Sequence, residues 1–263
     1  MIAMSHRIEL RKNLPSGTII LNRPEQHNPL SRDVIDSLQQ ALEDFQGEKY
    51  VRGIILTGSG TTFCSGSDLR EMHASSQEPD AVQTWQADID RIQLLLETIL
   101  RHPKPIVVAM NGDAIGLGAA LVLAADLVVA HAQCKLIFPE PKLGLSNCVG
   151  AAFLAFRIGT AAASPFLFSN QSLEAERAKG FGLIHQIVPA DFVWAKAHEV
   201  IVDIAKGAHS SVSMTKKFVN ETVGEAFFTN LSIALAQLAT ARTTDAAKEG
   251  LAAFIEKRQP KFD

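Results

Sequence analysis

Several things are scarce in this 263-residue chain, and each shortage removes a class of function. Cysteine is one: Cys64, Cys134 and Cys148 are the only three. They are too few for a disulfide framework and lack the C-x-x-C spacing of a metal or redox pair, so reduced thiols in a cytoplasm-like compartment are expected. Charge of one sign is also missing. The formal net charge is −3 and no run of Lys or Arg occurs, which disfavours nucleic-acid binding as the main task. Long apolar runs are absent. The most apolar stretch, Ala114 to Ala130, is interrupted by Gly116, Gly118 and Asp126, and its uncharged part falls short of the ~18 residues a membrane span needs. It reads as a buried helix followed by a strand. Met1 to Arg11 alternates in charge without the apolar core of a signal peptide. A cytoplasmic protein with no membrane and no nucleic-acid partner is the expectation.

Familiar chemical motifs are missing too. Gly116-Leu117-Gly118 runs on into Ala119, Ala120 and Leu121, so the G-x-G-x-x-G fingerprint is incomplete, and no G-K-[ST] triphosphate loop occurs. There is no G-x-S-x-G nucleophile elbow, and no acid–His–Ser order supports a hydrolytic triad. His27, His73, His102, His131 and His185 form neither H-x-x-x-H nor H-x-x-E-H, so no metal site is expected. Trp85 and Trp194 read as core or interface residues rather than cofactor platforms.

What is present is enough apolar sequence for a packed core, 47% of residues. Arg7–Leu10 and Thr18–Leu21 read as strands around a turn at Pro15, Ser16 and Gly17. Ser31 is placed to cap a helix with the apolar face Val34, Ile35, Leu38, Leu42 and Phe45, ending at Gly47. Further strands are expected at Val51–Thr57, Ile106–Met110 and Leu127–Ala130, with helices at about Ala81–Leu100 and Gly116–Ala124. Strand and helix thus alternate with a period of roughly 50 residues, the pattern of an α/β fold. After Pro189 the pattern becomes helical: Val193–Lys206, Val212–Thr222, Glu225–Thr240 and Asp245–Lys257.

Two glycine-bearing turns each follow a buried strand: Phe63-Cys64-Ser65-Gly66-Ser67-Asp68-Leu69, and Asn111-Gly112-Asp113-Ala114-Ile115-Gly116-Leu117-Gly118. Small residues let a ligand approach the main chain closely enough to accept hydrogen bonds from its N–H groups. Either turn alone is ordinary loop chemistry. Facing each other, the two would form an oxyanion hole, with donors aimed at charge that develops during reaction.

These segments resemble the crotonase family, the enoyl-CoA hydratase/isomerases. Leu21-Asn22-Arg23-Pro24 through Asn28-Pro29-Leu30 is similar to its L-N-R-P-x-x-x-N-A-L segment, and Phe63 to Leu69 to its F-C-A-G-A-D-L segment. Lys104-Pro105-Ile106 through Asn111-Gly112 to Ala125-Asp126 resembles K-P-x-I-A-x-x-N-G-x-A-x-G-x-G…C-D. Pro139-Glu140-Pro141-Lys142-Leu143-Gly144 resembles P-E-x-x-L-G, the segment from Ala178 to Val188 resembles A-x-x-x-G-L-V-x-x-V, and Phe254 to Arg258 resembles F-x-E-K-R. The matches keep the family's order along nearly the whole chain. The resemblance implies an α/β spiral of ββα units over 1–195 and a C-terminal helical oligomerisation region over 196–263, building a homotrimer or hexamer. It implies an acyl-CoA thioester substrate, with coenzyme A part of the substrate and no separate cofactor. Its carbonyl would accept from the backbone N–H groups of Ser67 and Leu117. Cys64, Ser65, Gly66, Asp68 and Gly116 would line the CoA-thioester site, and Phe254 and Lys257 would touch the adenine and its phosphate from an adjacent subunit. Leu117 replaces a smaller residue, and its side chain could narrow the acyl pocket or point into the core.

The resemblance is most informative in its carboxylates. Hydratases of the family use two glutamates around one water. Glu140 matches the second; the first falls on Ala120, which has no acid–base capacity. The P-G-A-G-G segment is broken to Asn147-Cys148-Val149-Gly150-Ala151, and at Cys148, where some relatives place an acid, a packed thiol is expected. One carboxylate can take a proton from one carbon and return it to another, which is double-bond isomerisation, whereas hydration is easier with two. The expected activity is therefore isomerase-like chemistry with Glu140 as single proton shuttle. The alternatives are a hydratase in which Asp113, Ser146 or Asn147 holds the water, and a CoA-binding homologue without catalysis.

Overall fold

The computed structural model describes residues 7–169 and 171–262. In chain order its strands are β1 (Ile8–Asn13), β2 (Ser16–Leu21), β3 (Gly53–Gly58), β4 (Thr62–Cys64), β5 (Ile106–Met110), β6 (Asp113–Ile115), β7 (Leu127–Ala130), β8 (Lys135–Ile137), β9 (Leu173–Glu174) and β10 (Gln186–Ile187). Its helices are α1 (Arg32–Gly47), α2 (Leu69–Ser75), α3 (Ala81–Arg101), α4 (Leu117–Ala124), α5 (Cys148–Ile158), α6 (Thr160–Phe168), α7 (Ala175–Gly180), α8 (Val193–Ala205), α9 (His209–Lys217), α10 (Glu225–Ala241) and α11 (Asp245–Glu256).

The β-branched runs read from the sequence form a six-stranded sheet in the order β1-β2-β3-β5-β7-β10, and a second sheet runs β4-β6-β8-β9. Each long strand of the first sheet hands the chain to a short strand of the second: β3 to β4, β5 to β6, β7 to β8. Because β3, β5 and β7 are parallel neighbours, and β4, β6 and β8 are too, the chain climbs as a spiral of ββα turns. The short second strands are what the roughly 50-residue strand–helix period passed over. Three residues are too few to show an alternating pattern.

The central strands are buried on both faces, as parallel strands covered by helices must be. Ile54, Val108 and Val128 join the helix faces of Leu38, Phe45, Ile92 and Leu96 in the main core, where each large apolar side chain contributes about 1.5–3 kcal/mol on burial. Ile55, Val107 and Val129 face the other way, onto Val193, Ala197 and Ile201 of α8. The boundary expected at 195 therefore falls inside a helix packed on the sheet.

Two local expectations change. Ser31 occupies the cap position of α1, but its side chain makes no capping bond. The Glu71 carboxylate of α2 accepts from the Arg32 N–H at 2.9 Å instead, placing an anion at the positive end of the helix. The helix expected over Val212–Thr222 stops as α9 at Lys217 and widens into a π-helical turn, Phe218–Val223. That turn carries Asn220, whose Nδ2 donates to the Leu100 carbonyl at 2.9 Å.

Helix α11 folds back on its own chain. Ala247 and Leu251 pack with Met72 and Leu145, and a Cβ built on Gly250 would lie 1.9 Å from the Leu143 carbonyl oxygen. The C-terminal helix thus braces the short 3-10 turn Glu140–Leu143 by direct backbone contact. Among the described residues no helix is long and apolar enough to cross a membrane.

Candidate active site

Strand register brings three distant segments together. Cys64 pairs with Ala114, Ala114 with Leu136, and Ile115 with Ile137, so β4, β6 and β8 end side by side. The residues leaving their carboxyl ends are Ser65-Gly66-Ser67, Gly116-Leu117 and Pro139-Glu140. Ligands of open α/β sheets bind in just such crevices beyond the strand ends. All seven residues line one cavity.

Two glycines make the approach of these loops possible. Gly66 has φ +85°, and a Cβ there would sit 2.6 Å from the Ile115 oxygen and 3.2 Å from the Leu117 nitrogen. Gly116 has φ +54°, and its Cβ would sit 2.5 Å from Glu140 Oε1. Both need the left-handed backbone and the missing side chain. The Ser67 amide lies in a loop, and the Leu117 amide opens α4, where helical N–H groups have no intrahelical partner. Among the described residues neither amide donates to a protein acceptor. Two backbone donors, one of them at a helix N-terminus, are thus left free at the cavity wall.

The N-terminal loop holds the first donor in place. Ser65 N–H donates to the His27 carbonyl at 3.0 Å, Leu30 N–H to Gly66 at 2.8 Å, and Asp68 N–H to Leu30 at 3.2 Å. Arg23 pairs with Asp68 at 3.0 Å, and Asp68 also accepts from the Arg70 and Glu71 amides that open α2. The Asn28 Nδ2 donates to Thr62 at 2.7 Å and Ser59 at 2.9 Å. Arg23, Asn28 and Leu30 thus clamp the loop that presents Ser67. The sequence motif contains them without revealing that task.

Glu140 is the one carboxylate on the cavity wall among the described residues. Its Oε2 is buried without a hydrogen-bond partner. Burial pushes its carboxyl from 4.5 up to about 7, a rise opposed by its own backbone N–H. Near neutrality such a group gives and takes protons with equal ease, as a general acid–base residue must.

The other expected residues fall in several places. Cys64 is fully buried behind the wall. Its Sγ accepts from the Gly66 N–H at 3.4 Å, and burial raises the thiol to about 12. Asp68 is turned to Arg23 and α2, so its side chain anchors the loop. Leu117 is 8% exposed, belonging to the core while also lining the cavity. Ala120 is wholly enclosed in the core and is not part of the cavity wall. Phe254, 44% exposed, and Lys257, which ends α11, stand apart from the cavity of this chain. Asp113 accepts from the Lys135 N–H at 3.0 Å, outside the cavity. Ser146 lines it, with its Oγ 2.6 Å from Cys148 Sγ. Asn147 also lines it, and both of its side-chain amide atoms are buried without partners. Arg242, from the end of α10, completes the wall; it lies in an unremarkable helical stretch, and nothing in its sequence surroundings signals a site.

The fold and site define a class: a ββα spiral with free backbone amides and one buried glutamate beyond its strand ends. Comparison with known proteins agrees. The family model described as enoyl-CoA hydratase/isomerase matches residues 16–263. A relative from Thermus thermophilus, whose name assigns it to the enoyl-CoA hydratases, is 34% identical over 94% of this chain and 96% of its own. The 1,2-epoxyphenylacetyl-CoA isomerase of Escherichia coli is 29% identical over 93% of this chain and 94% of its own. Among solved structures, an enoyl-CoA hydratase/isomerase from Pseudoalteromonas atlantica superposes with TM-score 0.84 at 27% identity, covering 98% of this chain and 100% of that one. One from Mycobacterium paratuberculosis gives TM-score 0.86 at 24% identity, with 95% and 98% covered, a likeness of fold. The chain belongs to the enoyl-CoA hydratase/isomerase family, whose members act on acyl-CoA thioesters, and it has the crotonase fold.

Proposed function

We propose that this chain binds an acyl-CoA thioester with its carbonyl oxygen between the Ser67 and Leu117 amides, and that Glu140 moves a proton on the acyl chain. The supporting observation is the pairing of two unengaged backbone donors with a single buried carboxylate in one cavity. The amides stabilise the enolate oxygen; one such donor is worth roughly 2.7–4 kcal/mol in comparable sites. Glu140 takes the proton from the carbon next to the thioester. For a 3-enoyl chain the electrons spread over a dienolate, and returning the same proton two carbons further yields the 2-enoyl product. Isomerisation of 3-enoyl-CoA therefore outruns hydration of 2-enoyl-CoA.

A hydratase reading rests on Asn147. Its buried, unpartnered amide, in a residue that lines the same cavity as Glu140, is a place to hold a water. An amide orients water but exchanges no proton near neutral pH, so it replaces only half of a second glutamate, and isomerisation stays in front. The test is to follow both reactions with the same enzyme: faster isomerisation is expected, and faster hydration overturns the preference. We further propose a homotrimer or hexamer in which Phe254 and Lys257 reach the CoA of an adjacent chain. The more than half-exposed Phe168, Met214, Phe218 and Ile233 support apolar contact between copies.

A further inference from the structure

One wall of the cavity is neither apolar nor catalytic. Arg242 sits where α10 ends, and its side chain is only 2% exposed. One guanidinium nitrogen donates to Asp88 at 3.2 Å. Its Nε is buried and has no partner. The same side chain borders a second cavity of about 20 Å³ with Arg32 and Asp88, so it stands as a partition between the cavity of Glu140 and a polar, water-sized space behind it. Asp88 also receives Arg32, at 2.6 and 3.1 Å. Both guanidinium groups are thus held by one carboxylate, and Arg242 is fixed in place before any ligand arrives.

A buried N–H donor without an acceptor loses its water and gains nothing. A hydrocarbon chain in this cavity leaves the Arg242 Nε in that state; an oxygen brought to the Arg242 wall would relieve it. We infer that Arg242 recognises an oxygen acceptor carried by the acyl group: a hydroxyl, keto or carboxylate oxygen a few atoms beyond the thioester carbonyl. The inference rests on the acyl-CoA reading of the cavity. Sites built to hydrogen-bond a substrate oxygen discriminate strongly against analogues that lack it, because the protein group is then left unpaired. Lysine could keep the contact to Asp88 but has no donor at the Nε position and no planar fork.

The test uses three short 3-enoyl-CoA esters of equal length, ending in methyl, hydroxyl and carboxylate. For the wild-type enzyme, kcat/KM for at least one oxygenated ester should exceed that for the methyl ester by tenfold or more; the arm that wins says which oxygen is read. In Arg242→Lys that ratio should fall below about threefold. Should this variant not fold, the saturated analogues of the three esters are titrated into the wild-type protein by calorimetry, and an oxygenated one should bind at least tenfold more tightly. Equal or better use and binding of the methyl ester overturns the inference while leaving the Glu140 chemistry intact. Absence of turnover for all three, with the binding preference kept, counts against the Glu140 chemistry and supports the role of Arg242.

Discussion

Replacing Glu140 by Gln should separate catalysis from stability in opposite directions. The substitution keeps the shape of the side chain and removes its titration. Loss of a general base costs on the order of 10²–10⁴ in rate, so turnover should nearly vanish while CoA-ester binding survives on the backbone amides. Stability should rise. Burial lifts the Glu140 carboxyl from 4.5 to about 7, so the folded state holds this proton more tightly than the unfolded chain does. The stability it contributes is fully present below pH 4.5 and is lost as pH climbs through about 7. The full shift corresponds to roughly 3 kcal/mol, an upper figure because the site can relax around the charge. Gln carries no such penalty. Urea unfolding at pH 5 and pH 8 should therefore show Glu140→Gln gaining on wild type at pH 8 by about 1–3 kcal/mol more than at pH 5. An equal difference at both pH values would mean that the carboxyl is not held in a desolvated site. Turnover within twofold of wild type would remove Glu140 from the mechanism.

Gly116→Ala should cut turnover at least tenfold, because the new Cβ would lie 2.5 Å from Glu140 Oε1 at a backbone φ of +54°; steady-state kinetics on protein with a normal far-ultraviolet spectrum checks this, and unchanged kcat would contradict the placement of Glu140. Asn147→Ala should lower any residual hydration of 2-enoyl-CoA by more than it lowers isomerisation, as read by the ratio of the two rates; a constant ratio would exclude Asn147 as the holder of water. Sedimentation should give a mass of three or six chains, and a fully active monomer would refute the proposed contribution of Phe254 and Lys257 from a neighbour.

The long elements were readable because their apolar periodicity is strong. The face Val34, Ile35, Leu38, Leu42, Phe45 is the buried face of α1, and Ile106–Met110 is a wholly buried strand. The second sheet was not, since β4, β6 and β8 are three residues each and carry no period. Yet those strands align the Ser67, Leu117 and Glu140 segments, which only the motif resemblance joined in advance. The cap of α1 was misread for a related reason: Ser31 has the right chemistry, but Glu71, distant in the chain, arrives by tertiary packing. Cys64 and Asp68 sit in the right segment and turn out to support it from behind. Arg242 had no local signature, because its meaning comes from burial against Asp88.

The central claim is that the Ser67 and Leu117 amides and Glu140 together generate a thioester enolate. Exchange of the α-protons of a short saturated acyl-CoA in D₂O, followed by NMR, reads that step without reference to hydration or isomerisation. The account predicts enzyme-catalysed exchange that speeds up as pH rises through about 7 and that slows on the order of 10²–10⁴ in Glu140→Gln. No exchange by the wild-type enzyme, or exchange in Glu140→Gln within twofold of wild type, would contradict it.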